Sequence, residues 1–206
     1  MTDIRPVVKP NKLKKAIVIM LLTFAISCGG EKIMIRNAEK GHGYILASIT
    51  LLDGKPKFNN YGLEFKPEGK EIGLFDSNGG LRIQRDSQHY KTDNSRVYLI
   101  LKELKVGNYE FFDYHLIQNF GYSASHIRSK KEFSIPFSVQ EDSINYIGDF
   151  TFYPQSNDNG NLFVISDKYD RDIMKLKEKY PRINWEIVQN KALENGVLNE
   201  SLIEFK

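Results

Sequence analysis

The sequence predicts a mainly β protein, an antiparallel β-sandwich followed by a C-terminal α-helical segment. Three observations favour this fold class. From Tyr44 onward, apolar and polar residues alternate at a period of two, which is typical of half-buried strands. Turn dipeptides such as Asp53-Gly54 and Asn159-Gly160 separate the alternating segments. After Ser166 the apolar spacing changes to about 3.6 residues, the period of an amphipathic helix.

The alternation predicts nine strands within a β domain spanning residues 44–166. They cover residues 44–51, 61–66, 71–75, 81–84, 96–102, 108–118, 133–139, 144–153 and 161–166. We expect residues 71–75 to form a hairpin with 81–84, and 144–153 to form one with 161–166. The strand at 96–102 is apolar on both faces and is expected to be central. The polar segments 88–94 and 120–131 are expected to be loops.

Two strands allow predictions about individual faces. Phe133, Ile135, Phe137 and Val139 alternate with small or polar residues and are expected to face the core. Pro136 lacks a backbone donor, so this strand is expected at a sheet edge. In the next strand, Ile144, Tyr146, Phe150 and Phe152 are expected to share one face.

The turn between residues 102 and 109 carries a family resemblance. The pattern Leu104-x-x-Gly107-x-Tyr109, followed by a strand, resembles the Leu-Pro-x-Gly-x-Tyr turn of prealbumin-like β-sandwich modules. That class contains Cna-B-type repeats and the regulatory domains appended to carboxypeptidases. Lys105 stands where the family has proline. Gly107 permits a positive φ at the turn. The resemblance implies a prealbumin-like sandwich and does not imply a function.

The C-terminal segment, residues 167–206, is expected to pack on the β domain. Tyr169, Ile173, Leu176 and Tyr180 form one apolar stripe of a helix. Asp167 or Asp170 is a candidate cap, and Pro181 ends the helix. The remaining residues, 182–206, are compatible with a short helix or an extended tail.

The N-terminal segment, residues 1–27, has the layout of a secretory signal peptide. Five basic residues precede an uncharged run at residues 16–27, and Cys28 follows directly. The uncharged run is about 12 residues long, whereas a helix that spans a bilayer needs roughly 20. A permanent transmembrane helix is therefore not predicted.

The residues around Cys28 resemble the lipobox of bacterial lipoproteins. Ala25-Ile26-Ser27-Cys28 matches its small-residue and cysteine positions, with Ala25 where leucine is commoner. The resemblance implies that Cys28 receives a diacylglyceryl group, that residues 1–27 are removed, and that a fatty acid such as palmitate acylates the new amino terminus. The chain would then be anchored in a bacterial cell envelope, in the outer membrane of a Gram-negative cell, with residues 28–43 as a tether. The alternatives are a secreted protein with a free Cys28 and a buried core segment.

The charge balance of the remaining chain restricts its partners. Residues 1–27 hold five of the 29 Lys and Arg and one of the 26 Asp and Glu, which leaves a net charge near −1. Such a balance lacks the basic footprint of a nucleic-acid-binding domain. With Cys28 lipidated, no cysteine is left for a disulfide, so stability must come from a hydrophobic core.

Residue types found in catalytic sites occur around Asp113 and His115, with Ser123, Ser125 and His126 nearby. No Gly-x-Ser-x-Gly elbow frames either serine, so we interpret these residues as structural and assign no catalytic residue. The four histidines lack the spacing of metal ligands, and residues 157–161 favour a hairpin turn over a calcium loop. No metal or cofactor is predicted.

Aromatic residues crowd the segment 109–122, and alternate members must face opposite sides of a strand. Tyr114, Phe120 and Tyr122 are the candidates for an exposed surface that binds a peptide or a sugar. We therefore expect a cell-envelope lipoprotein that is a non-enzymatic binding or structural module, with an envelope protein or glycan as partner. The alternative is an envelope-anchored hydrolase.

Substitution of Cys28 tests the anchor. If Cys28 is lipidated, the wild-type chain should incorporate a clickable fatty acid in cells, whereas Cys28→Ala should incorporate none and should no longer partition with membranes. In-gel detection of the label measures this. Absence of label on the wild-type chain would contradict the prediction.

Overall fold

Two open β-sheets and one α-helix make up the described part of the protein. The computed structural model describes residues 33, 35, 38–52, 58–71, 79–129, 133–153, 163–194, 196–198 and 203–205. The signal-like segment with Cys28 lies outside the described residues, as do the turns at Asp53-Gly54 and Asn159-Gly160. The protein is mainly β, as the alternation predicts.

The first sheet is mixed. It contains β1 (His42–Leu52), β4 (Tyr90–Thr92), β5 (Ser95–Lys105), β9 (Ile144–Phe152), β10 (Phe163–Ser166), β11 (Val188–Asn190) and β13 (Ile203–Phe205). Their order is β13-β10-β9-β1-β5-β4. Strand β1 lies at the centre, antiparallel to β5 and parallel to β9. Strands β10 and β11 pair with different halves of β9.

The second sheet is antiparallel. It contains β2 (Asn60–Pro67), β3 (Gly79–Gln84), β6 (Gly107–Asn119), β7 (Ala124–Arg128), β8 (Phe133–Val139) and β12 (Val197–Leu198). Their order is β12-β8-β6-β2-β3. Strand β6 pairs with β2 on one side, and with β8 and then β7 on the other. The two sheets are joined at Val106, because β5 ends in the first sheet and β6 begins in the second.

One hydrophobic core lies between the sheets and gives the protein a sandwich-like arrangement. Ile45, Ile49 and Leu51 of β1 face this core together with Phe65 and Phe111 of the second sheet. The rings of Phe65 and Phe111 meet edge to face at 5.7 Å. Full burial of a side chain of this size contributes about 1.5–3 kcal/mol. The expected inward set of β8, from Phe133 to Val139, is confirmed by its strictly alternating burial.

A β-bulge in the first sheet changes the phase of β9. The register between β1 and β9 shifts at Leu46/Ala47, where Ile147 is the extra residue and the following Gly148 has a φ of 120°. Tyr146 therefore faces away from the inter-sheet core, whereas Phe150 faces into it. The expectation that Ile144, Tyr146, Phe150 and Phe152 share one face is wrong, because the bulge moves the second half of the strand by one residue.

The helix α1 (Tyr169–Lys179) covers the outer face of the first sheet. Ile173 and Leu176 are buried against Leu46 and Tyr146, as the apolar stripe predicts. The residue that caps the helix is Lys168, whose side chain makes no capping bond, and Asp167 accepts from the backbone N–H of Tyr169 at 2.8 Å. Trp185, in the 3₁₀ helix Trp185–Ile187, is buried in the same cluster.

Two segments that read as loops contain short strands. Residues 88–94 include β4, which pairs with β5, and residues 120–131 include β7, which pairs with β6. Both strands lie at the margins of their sheets and are largely exposed, so neither shows the alternation on which a sequence reading depends. Strand β3 pairs with β2, whereas its expected partner at 72–75 lies outside the described residues.

The expected edge position of β8 needs a correction for its first two residues only. Strand β6 pairs with residues 135–139 of β8, whereas β12 pairs with Phe133 and Ser134. Pro136 lies beyond that pairing, which is compatible with its missing donor. The segment 182–206 combines both options that the sequence allows, since it contains the 3₁₀ helix and strands β11 to β13.

The crossing between the sheets generates a stability prediction. Gly107 has a φ of 156°, a region that residues with a side chain rarely adopt. We expect Gly107→Ala to lower the free energy of unfolding by about 1–3 kcal/mol. Gly62→Ala is the control, because a Cβ at Gly62 meets no atom closer than 3.4 Å. Denaturant titrations that find equal effects at both positions would contradict the prediction.

Candidate functional site

The outer face of the second sheet gathers the charged and imidazole side chains of four neighbouring strands. We call this surface the arginine–histidine face; its members are Gly62, Glu64, Arg82, Asp113, His115, His126 and Arg128. The strand register explains the grouping, because Gly62 lies opposite both Arg82 and His115. His115 in turn lies opposite Arg128. Side chains on one face of adjacent strands are close enough to interact directly.

A second β-bulge turns Asp113 toward this face. The register between β2 and β6 shifts at Glu64/Phe65, and Phe112 is the extra residue of β6. Phe111 and Tyr114 therefore point into the core, while Asp113 lies between them without entering it. Bulges re-aim side chains in this way.

Three ion pairs hold the arginines in place. Arg82 Nη2 lies 3.3 Å from Glu64 Oε1, and Arg128 Nη1 lies 3.2 Å from Asp113 Oδ2 and 4.0 Å from Glu64 Oε2. The side chains of Glu64 and Asp113 are 5% and 13% exposed, whereas those of Arg82 and Arg128 are 64% and 56% exposed. The carboxylates are thus buried beneath guanidinium groups that reach solvent.

The surroundings of Asp113 shift its protonation. Burial raises the pKa of the Asp113 carboxyl above its ordinary value, and the charge of Glu64 acts in the same direction. The backbone N–H of Ser129, which donates to Asp113 Oδ1 at 3.0 Å, and the charge of Arg128 oppose this rise. Two groups therefore stabilise the charged form of the Asp113 carboxyl, the guanidinium of Arg128 and the backbone N–H of Ser129.

The two histidines form a direct pair. His115 Nε2 and His126 Nδ1 are 2.9 Å apart, and the rings lie 5.2 Å apart at 24°. Burial lowers the pKa of His115, and the charge of Arg128 lowers it further. The neutral form of His115 is therefore favoured, and in a neutral pair one ring donates to the other.

Gly62 forms the floor between Arg82 and His115. A Cβ built there would lie 3.4 Å from Arg82 Cγ and 3.5 Å from the carbonyl oxygen of His115. These are ordinary contacts, so the position can accept a side chain without a clash. Because glycine has no side chain, the middle of the face is a depression bordered by the arginine and histidine side chains.

The aromatic residues singled out from the sequence separate into core and surface. Tyr114 is 1% exposed and packs in the inter-sheet core against Phe163, so its assignment to a surface is corrected. Phe120 and Tyr122 are exposed at the tip of the β6–β7 hairpin. The tip is ordered by a bond from the N–H of Phe120 to the carbonyl of Ser123. Tyr114 lies between Asp113 and His115 in β6. Because successive side chains of a strand face opposite sides, Tyr114 faces the core while its two neighbours face outward.

The serines do not join the histidine pair. Ser125 and His126 are consecutive residues of β7, so their side chains point to opposite faces. Ile127, on the same side as Ser125, packs against the inter-sheet core. Within the described ranges, no group of three or more His, Cys, Asp or Glu is arranged to hold a metal ion. None of the helices in that part of the chain is long and apolar enough to cross a membrane.

A second polar cluster, which the sequence reading missed, lies beneath α1. We call it the helix network; its members are Ser48, Thr50, Tyr90, Tyr146, Asp149, Thr151, Arg171 and Asp172. Asp149 and Asp172 have no exposed side-chain surface, and Arg171 bridges them with contacts of 2.9 Å to each. The bulge at Gly148 places Asp149 on this side of the sheet.

Hydroxyl groups complete the helix network. Thr50 and Thr151 donate to Asp149, and Tyr90 and Tyr146 donate to Asp172. Burial, followed by the charge of Asp172, raises the pKa of both tyrosines. A sequence signal existed, because Asp172 falls on the apolar stripe of the helix, where a charge requires a buried partner. The network is closed and ties the helix to the sheet.

An open groove lies between α1 and the 3₁₀ helix. It has a volume of about 640 Å³, and its lining includes Ile173, Met174 and Trp185 together with Lys177 and Glu186. Met174 is 52% exposed. This lining combines apolar and charged side chains, in contrast to the charged and imidazole side chains of the arginine–histidine face.

Comparison with known proteins adds one weak structural similarity. No protein-family model and no curated protein matches the sequence. Among solved structures, the chain is similar to a leucine-rich repeat protein from Bacteroides thetaiotaomicron, with a TM-score of 0.35 and 12% identity. The similarity covers 55% of this chain and 14% of that protein. It carries no argument about fold or function, so function is argued from the residues themselves.

The histidine pair predicts a pH-dependent stability. Because the pKa of His115 is lower in the folded protein than its ordinary 6.5, the unfolded chain binds more protons. Its contribution is therefore fully present above pH 6.5 and is lost as the pH falls through the folded-state pKa. His115→Gln should reduce the loss of stability between about pH 7.5 and pH 5. His42→Gln, in the other sheet, should leave that loss in place, and an unchanged profile for His115→Gln would contradict the prediction.

The helix network predicts a large effect at one arginine. Arg171→Met removes the one cation that bridges two buried carboxylates, so we expect a loss of about 3–5 kcal/mol in unfolding free energy. Lys175→Met is the matched control, because Lys175 pairs only at the surface with Glu178. An exposed pair of that kind contributes at most about 1 kcal/mol. Similar denaturation midpoints for both variants would show that the network does not hold the helix.

Proposed function

We propose that the chain is a lipid-anchored lipoprotein of a bacterial cell envelope whose β domain is a non-enzymatic binding module. The anchor proposal is supported by the signal-like segment at residues 1–27 and by the lipobox-like residues that end at Cys28. In this proposal the tether is residues 28–32, shorter than the expected 28–43, because Ile33 is buried in the cluster under the helix and β1 begins at His42. The outer membrane is the destination in a Gram-negative cell.

The finer fold proposal is a prealbumin-like sandwich. It is supported by the turn before β6, where Gly107 takes a φ of 156° and Tyr109 donates its hydroxyl to the carbonyl of Lys105 at 2.9 Å. That bond connects the start of strand β6 to the end of strand β5. Leu104, Gly107 and Tyr109 are the features of the family pattern that this chain retains, whereas Lys105 replaces its proline.

The binding proposal rests on one observation: the helix covers the outer face of the first sheet, whereas the outer face of the second sheet is exposed. Helix α1 buries Leu46 and Tyr146 on the first sheet, whereas Arg82 and Arg128 on the second sheet expose more than half of their side chains. Buried carboxylates fix these arginines at definite positions. Preorganised, exposed polar groups favour recognition, because less side-chain freedom is lost on binding.

The hairpin tip extends the proposed surface. Phe120 and Tyr122 expose 58% and essentially all of their side chains at the end of β6, the strand that carries Asp113 and His115. Aromatic rings with one exposed face stack on sugars and pack against peptides, and such residues are common at binding sites. An envelope protein or a glycan is the partner that this combination favours.

An envelope-anchored hydrolase is the second candidate. One observation favours it: the 2.9 Å bond between His115 and His126 lies beside two buried carboxylates. A serine mechanism with Ser125 is disfavoured, because Ser125 points to the other side of β7. Hydrolysis would therefore require water as the nucleophile and a histidine as the base.

Capture of the partner tests the proposed function. The full-length protein, purified from native membranes under mild detergent, should retain an envelope protein or glycan, and Phe120→Ser/Tyr122→Ser should lose it. Met174→Ser, an equally polar change at an exposed residue beside the helix, should retain the same partner. Loss from Met174→Ser and retention by the hairpin variant would place the partner elsewhere and contradict the proposal.

Recovery of the partner distinguishes binding from hydrolysis. After incubation with wild-type protein, mass spectrometry should find the partner chemically unchanged. Cleaved products that form with the wild type and with Ser125→Ala, but not with His115→Gln, would favour the hydrolase.

A further inference from the structure

The arginines of the arginine–histidine face retain hydrogen-bond donors after their ion pairs are formed. A guanidinium group has five N–H donors. Arg82 uses Nη2 toward Glu64, and Arg128 uses Nη1 toward Asp113. Because both side chains are more than half exposed, their remaining donors face solvent. The acceptors of the face are engaged beneath the arginines, and the donors are directed outward.

The number of protons on the two imidazole rings shows that the histidine pair provides one more hydrogen-bond donor. Each neutral imidazole carries one proton, and one nitrogen of each ring is used in the bond between His115 Nε2 and His126 Nδ1. Whichever ring donates, one of the outer nitrogens, His115 Nδ1 or His126 Nε2, keeps its hydrogen and the other is bare. One additional proton makes both outer nitrogens donors.

We propose that the arginine–histidine face binds an oxyanion group of the ligand, a carboxylate or a phosphate, above Gly62 between the two arginines and the histidine pair. This inference deepens the proposed binding function and rests on it. Planar guanidinium groups match the oxygens of carboxylates and phosphates, and such charge-assisted bonds are about twice as strong as neutral ones. The glycine floor lets the anion approach the backbone.

Binding should be linked to proton uptake. The charged groups around the histidine pair are Glu64 on β2, Arg82 on β3, Asp113 on β6 and Arg128 on β7. Without a ligand, the two arginines disfavour a cationic histidine. A bound anion offsets their charge and provides an acceptor for the second outer N–H. Affinity for an anion of constant charge should therefore rise as the pH falls.

Imidazole NMR of the full-length protein tests the inference, because the chain has four histidines and His115→Gln and His126→Gln assign the signals of the pair. Inorganic phosphate and acetate, added separately, represent the two sources of the anion. We expect at least one of them to shift the signals of both histidines in a saturable way. Chloride at equal ionic strength and glucose should not. Sulfate, whose charge is constant, should bind more tightly at about pH 6 than at pH 8.

Two variants locate the site. Gly62→Thr places a strand-favouring side chain on the floor, where a Cβ meets no atom closer than 3.4 Å, and Arg82→Gln removes one set of donors. Gly62→Thr should weaken anion binding by occupying the floor, and Arg82→Gln should weaken it by about tenfold, the effect of losing one charged hydrogen bond. Because Arg82 also pairs with the buried Glu64, the melting temperature of Arg82→Gln should fall, and binding is measured well below it. Arg182→Gln, an exposed arginine after the helix, should bind as the wild type does.

Two results would overturn the inference. Signals of the pair that respond to glucose and to neither anion would mean that the face binds neutral sugars, and the proposed binding function would survive. If the wild type, Gly62→Thr and Arg82→Gln bind the anion with equal affinity, the anion does not bind on this face. That conclusion is independent of the partner-capture experiment.

Discussion

Two β-bulges determine which side chains leave the sandwich core, and both polar clusters depend on them. Strict alternation would direct Asp149 and Asp113 toward apolar neighbours, at a cost of several kcal/mol for each unpaired carboxylate. The extra residues Ile147 and Phe112 shift the alternation by one position. Asp149 then meets Arg171 under the helix, and Asp113 meets Arg128 on the opposite side of the molecule. The same device thus serves both sheets.

The two clusters differ in whether their polar groups remain accessible to a ligand. In the helix network, hydroxyl donors and Arg171 fill the acceptors of both carboxylates, and the helix covers them. In the arginine–histidine face, the carboxylates are also largely buried, but their arginines extend into solvent. A closed network stabilises an element, whereas an anchored but exposed guanidinium can recognise a ligand. This contrast is why we propose the second sheet, rather than the helix side, as the recognition surface.

Much of the fold could be predicted from the sequence, because the longer strands and the helix alternate cleanly. Strand β8 and the stripe through Ile173 and Leu176 are examples, and their burial follows the pattern. Bulges and marginal strands could not be predicted, since a single extra residue or an exposed three-residue strand leaves no periodic signal. The sequence therefore shows the candidate site residues without their geometry. The contact between His115 and His126 depends on β7, which lies in a segment that reads as a loop.

The central claim, that the outer face of the second sheet is the recognition surface, can be tested directly by photo-crosslinking in living cells. A photoreactive amino acid is placed at Gln84, an exposed residue two positions from Arg82 on the same strand face, or at Met174 beside the helix. The account predicts a discrete crosslinked envelope partner from position 84, and its loss when Gly62→Thr is added. Crosslinks that form only from position 174, or that persist from position 84 in the presence of Gly62→Thr, would contradict it.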